Sequence, residues 1–144
     1  MKKSSILILI IICLCGCGKS SKKTSITGEI KGLGTDTLYL YGMDEPFDRI
    51  DTIFANADNF TYTTYIDTIT SAYLLIDNQI EYPIFLDKGN QIKIKGNIDH
   101  LEFLDINGNK YNEEFTAFQK ELGSLNNPSE KDLEQKAEEF IIFI

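Results

Sequence analysis

Past residue 17 the chain holds no cysteine, it has no tryptophan anywhere, and His100 is its single histidine. The body of the protein therefore cannot build a disulfide, a Cys-x-x-Cys redox site or a thiolate zinc site. One histidine excludes the H-E-x-x-H metal motif. The phosphate-cradling glycine patterns G-x-G-x-x-G and the P-loop are missing, as is the G-x-S-x-G nucleophile elbow. The expectation is a protein that is not an enzyme and carries no metal and no cofactor. Positive charge is also scarce: 14 Lys and Arg stand against 22 Asp and Glu, for a net charge of -8. So acidic a body will not seek nucleic acid, and anionic membrane surfaces would repel it as a whole.

What is present begins with a basic start, Lys2-Lys3, and an apolar run from Ile6 to Leu14. That run is shorter than the roughly 20 residues of a membrane-spanning helix and matches a signal-peptide core. It ends on Leu14-Cys15-Gly16-Cys17, which resembles the bacterial lipobox. The resemblance implies cleavage between Gly16 and Cys17 and acylation of Cys17, whose sulfur becomes a thioether. Residues 1–16 are then a lipoprotein signal peptide and 17–23 a lipidated tether, with Lys19, Lys22 and Lys23 beside the anchor. The expected location is the bacterial cell envelope, facing the periplasm, with the membrane as partner through the acyl groups. A plain secretory signal is one rival. A thiolate metal site at Cys13, Cys15 and Cys17 is another, but it lacks the paired spacing and further ligands that such sites use.

From residue 24 the pattern alternates with period two. Ile26, Gly28 and Ile30 share a face, and after Gly32-Leu33-Gly34-Thr35 so do Leu38 and Leu40, with Tyr39 and Tyr41 opposite. These two strands are predicted to form a hairpin. Met43 to Phe47 reads as a loop, and Asp48 to Ala55 as a strand. Asn56-Ala57-Asp58-Asn59 is a tight turn, because Asn and Asp tolerate left-handed backbone. Strands follow over Phe60–Ile66, Ser71–Asp77, Glu81–Asp87 (Tyr82, Ile84 and Leu86 inward), Gln91–Gly96 and Leu101–Ile106. With no helix between them to make parallel crossovers, residues 24–107 are predicted to be an antiparallel β-sandwich or barrel-like domain in a mainly β protein.

The period then changes. Tyr111, Phe115, Phe118, Leu122 and Leu125 mark one stripe of a helix. A second helix is predicted from an Asn127 cap and Pro128, with a stripe through Leu133, Ala137, Phe140 and Phe143. Residues 108–144 thus read as a short helical hairpin. The chain stops on the apolar run Phe140 to Ile144, which favours continuation of the natural protein over an exposed sticky end.

Several clusters carry a chemical reading beside a structural one. Asp105, Asn107 and Asn109 copy three ligand positions of a calcium loop, but Lys110 replaces its glycine and Thr116 its last carboxylate, so a strand-to-helix cap fits better. Asp44, Glu45, Asp48 and Asp51 could serve hydrolysis; with no polar partner visible they read as a solvated face. Tyr39, Tyr41 and Tyr62, with Tyr65, Tyr73 and Tyr82, could line an aromatic ligand face, or simply fill a sheet surface.

Ile26-Thr27-Gly28-Glu29-Ile30, Asp36-Thr37-Leu38-Tyr39-Leu40, Asp51-Thr52, Asn59-Phe60-Thr61-Tyr62, Ile84 to Asn90 and Ile106-Asn107-Gly108 follow one another in a telling order. Together they resemble the uncharacterised N-terminal β-domain of bacterial lipoproteins that carry a C-terminal thioredoxin-like domain. The resemblance implies a non-catalytic spacer or docking module of a thiol-disulfide system, with a thioredoxin-like domain or protein as partner. The Trp-Cys-x-x-Cys site of that family has no counterpart here. The rival reading is an independent envelope protein that binds a glycan or apolar ligand on the tyrosine face.

Overall fold

The computed structural model describes residues 22–43, 45–125 and 129–143. The lipobox, Asp44, Asn127 and Pro128 lie outside the described residues, as do the side chains of the terminal run from Phe140. Eight strands fill the first part: β1 (Lys23–Lys31), β2 (Thr37–Tyr41), β3 (Ile50–Phe54), β4 (Asn59–Tyr65), β5 (Thr70–Ile76), β6 (Ile80–Leu86), β7 (Gln91–Asn97) and β8 (Asp105–Asn107). Helices α1 (Lys110–Ser124) and α2 (Glu130–Phe143) follow. The strands form two four-stranded sheets, in the orders β4-β1-β7-β8 and β3-β2-β5-β6. The protein is mainly β, a two-layer sandwich with a helical C-terminal part.

The apolar alternation places the core between the layers. Ile26, Ile30, Ile92 and Ile94 from one sheet meet Leu38, Leu40, Leu74, Ile84 and Leu86 from the other, all of them buried. Phe47, predicted to be part of a loop, is fully buried as well. Gly28 stands opposite Phe60 in register, and the phenyl ring lies over it: a Cβ at Gly28 would come 2.0 Å from Cζ of Phe60.

Two pairings differ from the sequence expectation. β1 and β2 are not a hairpin: they belong to different sheets. Gly32 (φ 84°) and Gly34 (φ 68°) adopt the left-handed backbone that glycine permits, and they turn the chain across the sandwich instead of back along β1. This corner is fastened to the next one. Gly34 N donates to Asp58 Oδ1 at 2.7 Å, and Asp58 N donates to Gly34 O at 2.9 Å. Ala57 and Asp58, in the predicted tight turn, both have positive φ, and there the chain crosses again, from β3 to β4. The second difference is that β1 and β7 pair in parallel, with Ile26 beside Ile92 and Gly28 beside Ile94. No crossover helix is needed, because the connecting chain passes through the opposite sheet.

The predicted last strand shrinks to Asp105–Asn107, and Ile98–Phe103 before it winds as a 3-10 helix capped by the Asn97 side chain, which accepts from Asp99 N at 3.0 Å. Helix α1 begins at Asn109, whose side chain accepts from Asn112 N at 2.9 Å, so the cap reading of Asp105-Asn107-Asn109 is the observed one. Among the described residues α2 starts with a reciprocal Ser129–Asp132 box, in which Ser129 N donates to Asp132 Oδ2 at 2.9 Å. Leu133, expected on the buried stripe, is 43% exposed.

Helix α1 closes one open side of the sandwich. Its fully buried residues are polar: Asn112 and Thr116, one turn apart. Asn112 pairs with the edge strand β6, accepting from Phe85 N and donating to Phe85 O, both at 2.9 Å. Thr116 Oγ1 does the same for the edge strand β8, accepting from Ile106 N at 3.0 Å and donating to Ile106 O at 2.9 Å. Two side chains at i and i+4 therefore satisfy the outward backbone groups of one residue on each edge strand, Phe85 and Ile106.

Candidate functional site

The opposite side of the sandwich, between edge strands β3 and β4, is closed by a backbone bridge at Asn56–Asn59 where the chain turns and, beyond it, by side chains. Asp51 and Tyr62 point inward from the two sheets and meet, the Tyr62 hydroxyl donating to Asp51 Oδ2. Arg49 Nε donates to the same oxygen at 2.8 Å, and its Nη2 donates to the Thr64 hydroxyl. The Arg49 guanidinium also lies 4.5 Å from the centre of the Phe47 ring. Burial works against the charge of Asp51, but the Tyr62 hydroxyl and Arg49 together hold its carboxyl below the usual range. Burial first, and then the bond to Asp51, pushes the Tyr62 phenol up.

An open hollow of about 330 Å³ lies over these residues, lined also by Thr63 and Tyr65. Asp51 has its oxygen committed to two donors and Arg49 has its charge matched, so the cluster is built as an inter-sheet latch. Of the four acids grouped in the sequence, Asp51 thus has polar partners after all. Glu45 and Asp48 are exposed, and Asp44 lies outside the described residues. Arg49, the one arginine of the chain, was the missing signal.

The tyrosines separate. Tyr39, Tyr41 and Tyr73 gather on the outer face of the β3-β2-β5-β6 sheet, where Tyr41 stacks on Tyr73 with ring centres 5.6 Å apart. Leu75 and Pro83 join them through the register of β5 with β2 and β6, and Ile50 and Phe54 extend the face, 72% and 75% exposed. Burial, reinforced by a hydrogen bond and the charge of Glu81, pushes the Tyr41 phenol up to about 12. Tyr62 belongs to the latch, not to this face. Tyr82 is buried in the core, its hydroxyl 3.4 Å from Leu104 O. Tyr65 stands on the other sheet, 73% exposed. His100 is exposed, 3.4 Å from Glu102. No group of three His, Cys, Asp or Glu able to hold a metal ion occurs among the described residues.

A family model described as "Domain of unknown function (DUF4369)" matches residues 24–115. The chain belongs to this family. The matched stretch takes in all eight strands but for the first residue of β1, and it ends within α1, after Asn112 has paired with β6. No curated protein and no solved structure matches the chain. Among the described residues no helix is long and apolar enough to cross a membrane.

Proposed function

We propose that the chain is a lipid-anchored, non-catalytic docking module of the bacterial cell envelope, holding a thioredoxin-like partner of a thiol-disulfide system. The observation that carries this reading is the asymmetry of the two outer faces. One is lined by Tyr39, Tyr41, Tyr73, Leu75 and Pro83, with Ile50 and Phe54 projecting from it; the other is polar. Aromatic side chains offer large contact area at small entropic cost, which suits a protein-binding surface. The latch residues bond to one another across the two sheets, Asp51 Oδ2 accepting from both Arg49 and Tyr62, and this supports a structural role.

The partner is tested by titrating the Cys17→Ala chain with a thioredoxin-fold protein that bears a Trp-Cys-x-x-Cys site. Saturable binding that Tyr41→Ser with Tyr73→Ser weakens at least about tenfold supports the reading; no saturable binding refutes it. The anchor is tested separately. Cys17→Ala should release the protein from membranes and abolish labelling by palmitate, and unchanged membrane partition refutes lipidation. The Tyr41–Tyr73 stack also favours a second reading, an envelope protein that stacks a glycan or apolar ligand on this face. Titration with envelope glycans and fatty acids distinguishes the two.

A further inference from the structure

We propose that the outer face of strands β4, β1 and β7 docks on the phosphate headgroups of anionic lipids, so that the sandwich lies flat and its tyrosine face points away from the membrane. This rests on the lipid-anchor reading above. The net charge of the chain is -8, yet this face runs the other way. Lys23, Lys31, Lys93 and Lys95 are exposed on it, against the carboxylates of Glu29 and, beside Lys95 on the neighbouring β8, Asp105. The register sets Lys93 beside Thr27 and Lys95 beside Glu29, on neighbouring strands about 4.8 Å apart. Among the described residues Lys31, Lys93 and Lys95 form no ion pair. The rest of the face is hydroxyl-rich, with Thr61 and Thr63 on β4. The opposite face of the sandwich carries one charge among its described outward residues, Glu81, and it is negative. The protein is therefore electrically two-sided, and an anionic plane would select one side.

Covalent reach adds to charge complementarity. Lys23 is six residue steps from Cys17, and at no more than ~3.6 Å each these hold the start of β1 within about 22 Å of the anchored residue. At that end Tyr65, 73% exposed, stands beside Lys23 in register. At the other end Phe103, 43% exposed, lines a groove of about 590 Å³ with Lys31, Lys95 and Lys120, where Glu29 and Asp105 also stand and Lys120 pairs with Asp105 at 3.5 Å. Aromatic rings interleaved with lysines suit the membrane–water boundary. Near an anionic surface each lysine strengthens attachment by roughly fivefold, and the gain fades within a Debye length as salt is raised.

The absence of tryptophan makes the orientation measurable. The full lipid-bearing chain, carrying either Thr61→Trp or Tyr73→Trp, is reconstituted with vesicles of phosphatidylglycerol and phosphatidylcholine, or of phosphatidylcholine alone, each containing a headgroup-proximal doxyl lipid. Flotation reports the anchor; quenching reports the face. Docking predicts that the indole of the Thr61→Trp chain is quenched at least about threefold more than that of the Tyr73→Trp chain on anionic vesicles. It also predicts that this preference is lost on neutral vesicles, in high salt, or when Lys93→Glu and Lys95→Glu are added, in protein that still floats. Equal quenching in the two chains on floated protein overturns the docking alone. A chain that does not float overturns the anchor and the docking with it. Shielding of the Thr61→Trp indole from iodide in detergent without vesicles would assign the face to a second copy, and also overturns the proposal.

Discussion

Replacing Thr116 with valine removes one hydroxyl and almost no volume, which makes it a sharp probe of how α1 is held. The hydroxyl pairs with the buried backbone at the edge of β8, accepting from Ile106 N and donating to Ile106 O. Thr116 is 5% exposed and Ile106 1%, so water has little access to the groups left behind. Each buried backbone group without a partner costs about 1–3 kcal/mol. The two groups together should therefore cost roughly 2–6 kcal/mol, with no cavity contribution. For a domain of this size 1 kcal/mol moves the melting temperature by about 4–8 °C, so a fall of at least roughly 8 °C is expected. Thr116→Ser keeps both bonds and loses one methyl group, at about 0.8 kcal/mol. Thermal and urea unfolding of the three proteins, followed by far-ultraviolet circular dichroism, settles the comparison. If the valine variant lies within about 0.5 kcal/mol of the serine variant, the two-sided pairing does not stabilise the edge and the reasoning fails.

Gly28→Ala should cost about 1–3 kcal/mol by overpacking, because its Cβ would meet the Phe60 ring, and adding Phe60→Leu should recover part of the loss in a double-mutant cycle. The depressed Asp51 carboxyl contributes stability that is present above the ordinary carboxyl value of about 3.9 and lost as pH falls through its lower folded value. Stability curves of the wild type and Asp51→Asn should therefore differ most near neutral pH and converge in acid; a constant gap would contradict the latch. Burial, followed by the charge of Asp105, pushes the Tyr82 phenol up to about 12. Its stabilising share is complete below the unfolded value of about 10 and disappears as pH rises through 12, a loss that Tyr82→Phe should not show in alkaline titration of stability.

Which face each strand residue takes was legible in the sequence. Ile26, Leu38, Leu40, Tyr82, Ile84, Leu86, Ile92 and Ile94 are all inward, because a two-residue period needs no knowledge of partners. Which strand pairs with which was not legible. Gly32-Leu33-Gly34-Thr35 has the composition of a hairpin turn, but Leu33 is buried and the two left-handed glycines aim the chain into the other layer. The parallel β1–β7 pair is hidden for the same reason, since pairing depends on four crossings between the sheets that local chemistry does not encode. The apolar stripe of α1 was visible, while its buried contacts, Asn112 and Thr116, look like surface residues until the edges of β6 and β8 are placed beside them. The latch went unseen because Arg49, Asp51, Tyr62 and Thr64 meet across two sheets, and no spacing rule joins them.

The parallel pairing at the centre of one sheet also sets a timetable. β1 is the first of the described strands to be synthesised, yet its central partner comes late: Thr27 and Ile92, which touch through a side-chain contact between β1 and β7, are 65 residues apart. At a synthesis rate of about 5–20 residues per second, β1 waits several seconds before that neighbour exists. The hairpin β5–β6 is closed by three residues and can form during the wait. Contacts so distant in sequence slow folding and leave a strand open to wrong partners. A nascent β1 is then best guarded by its own charged positions, Glu29 and Lys31, and by any chaperone that holds the emerging N-terminus until β7 arrives.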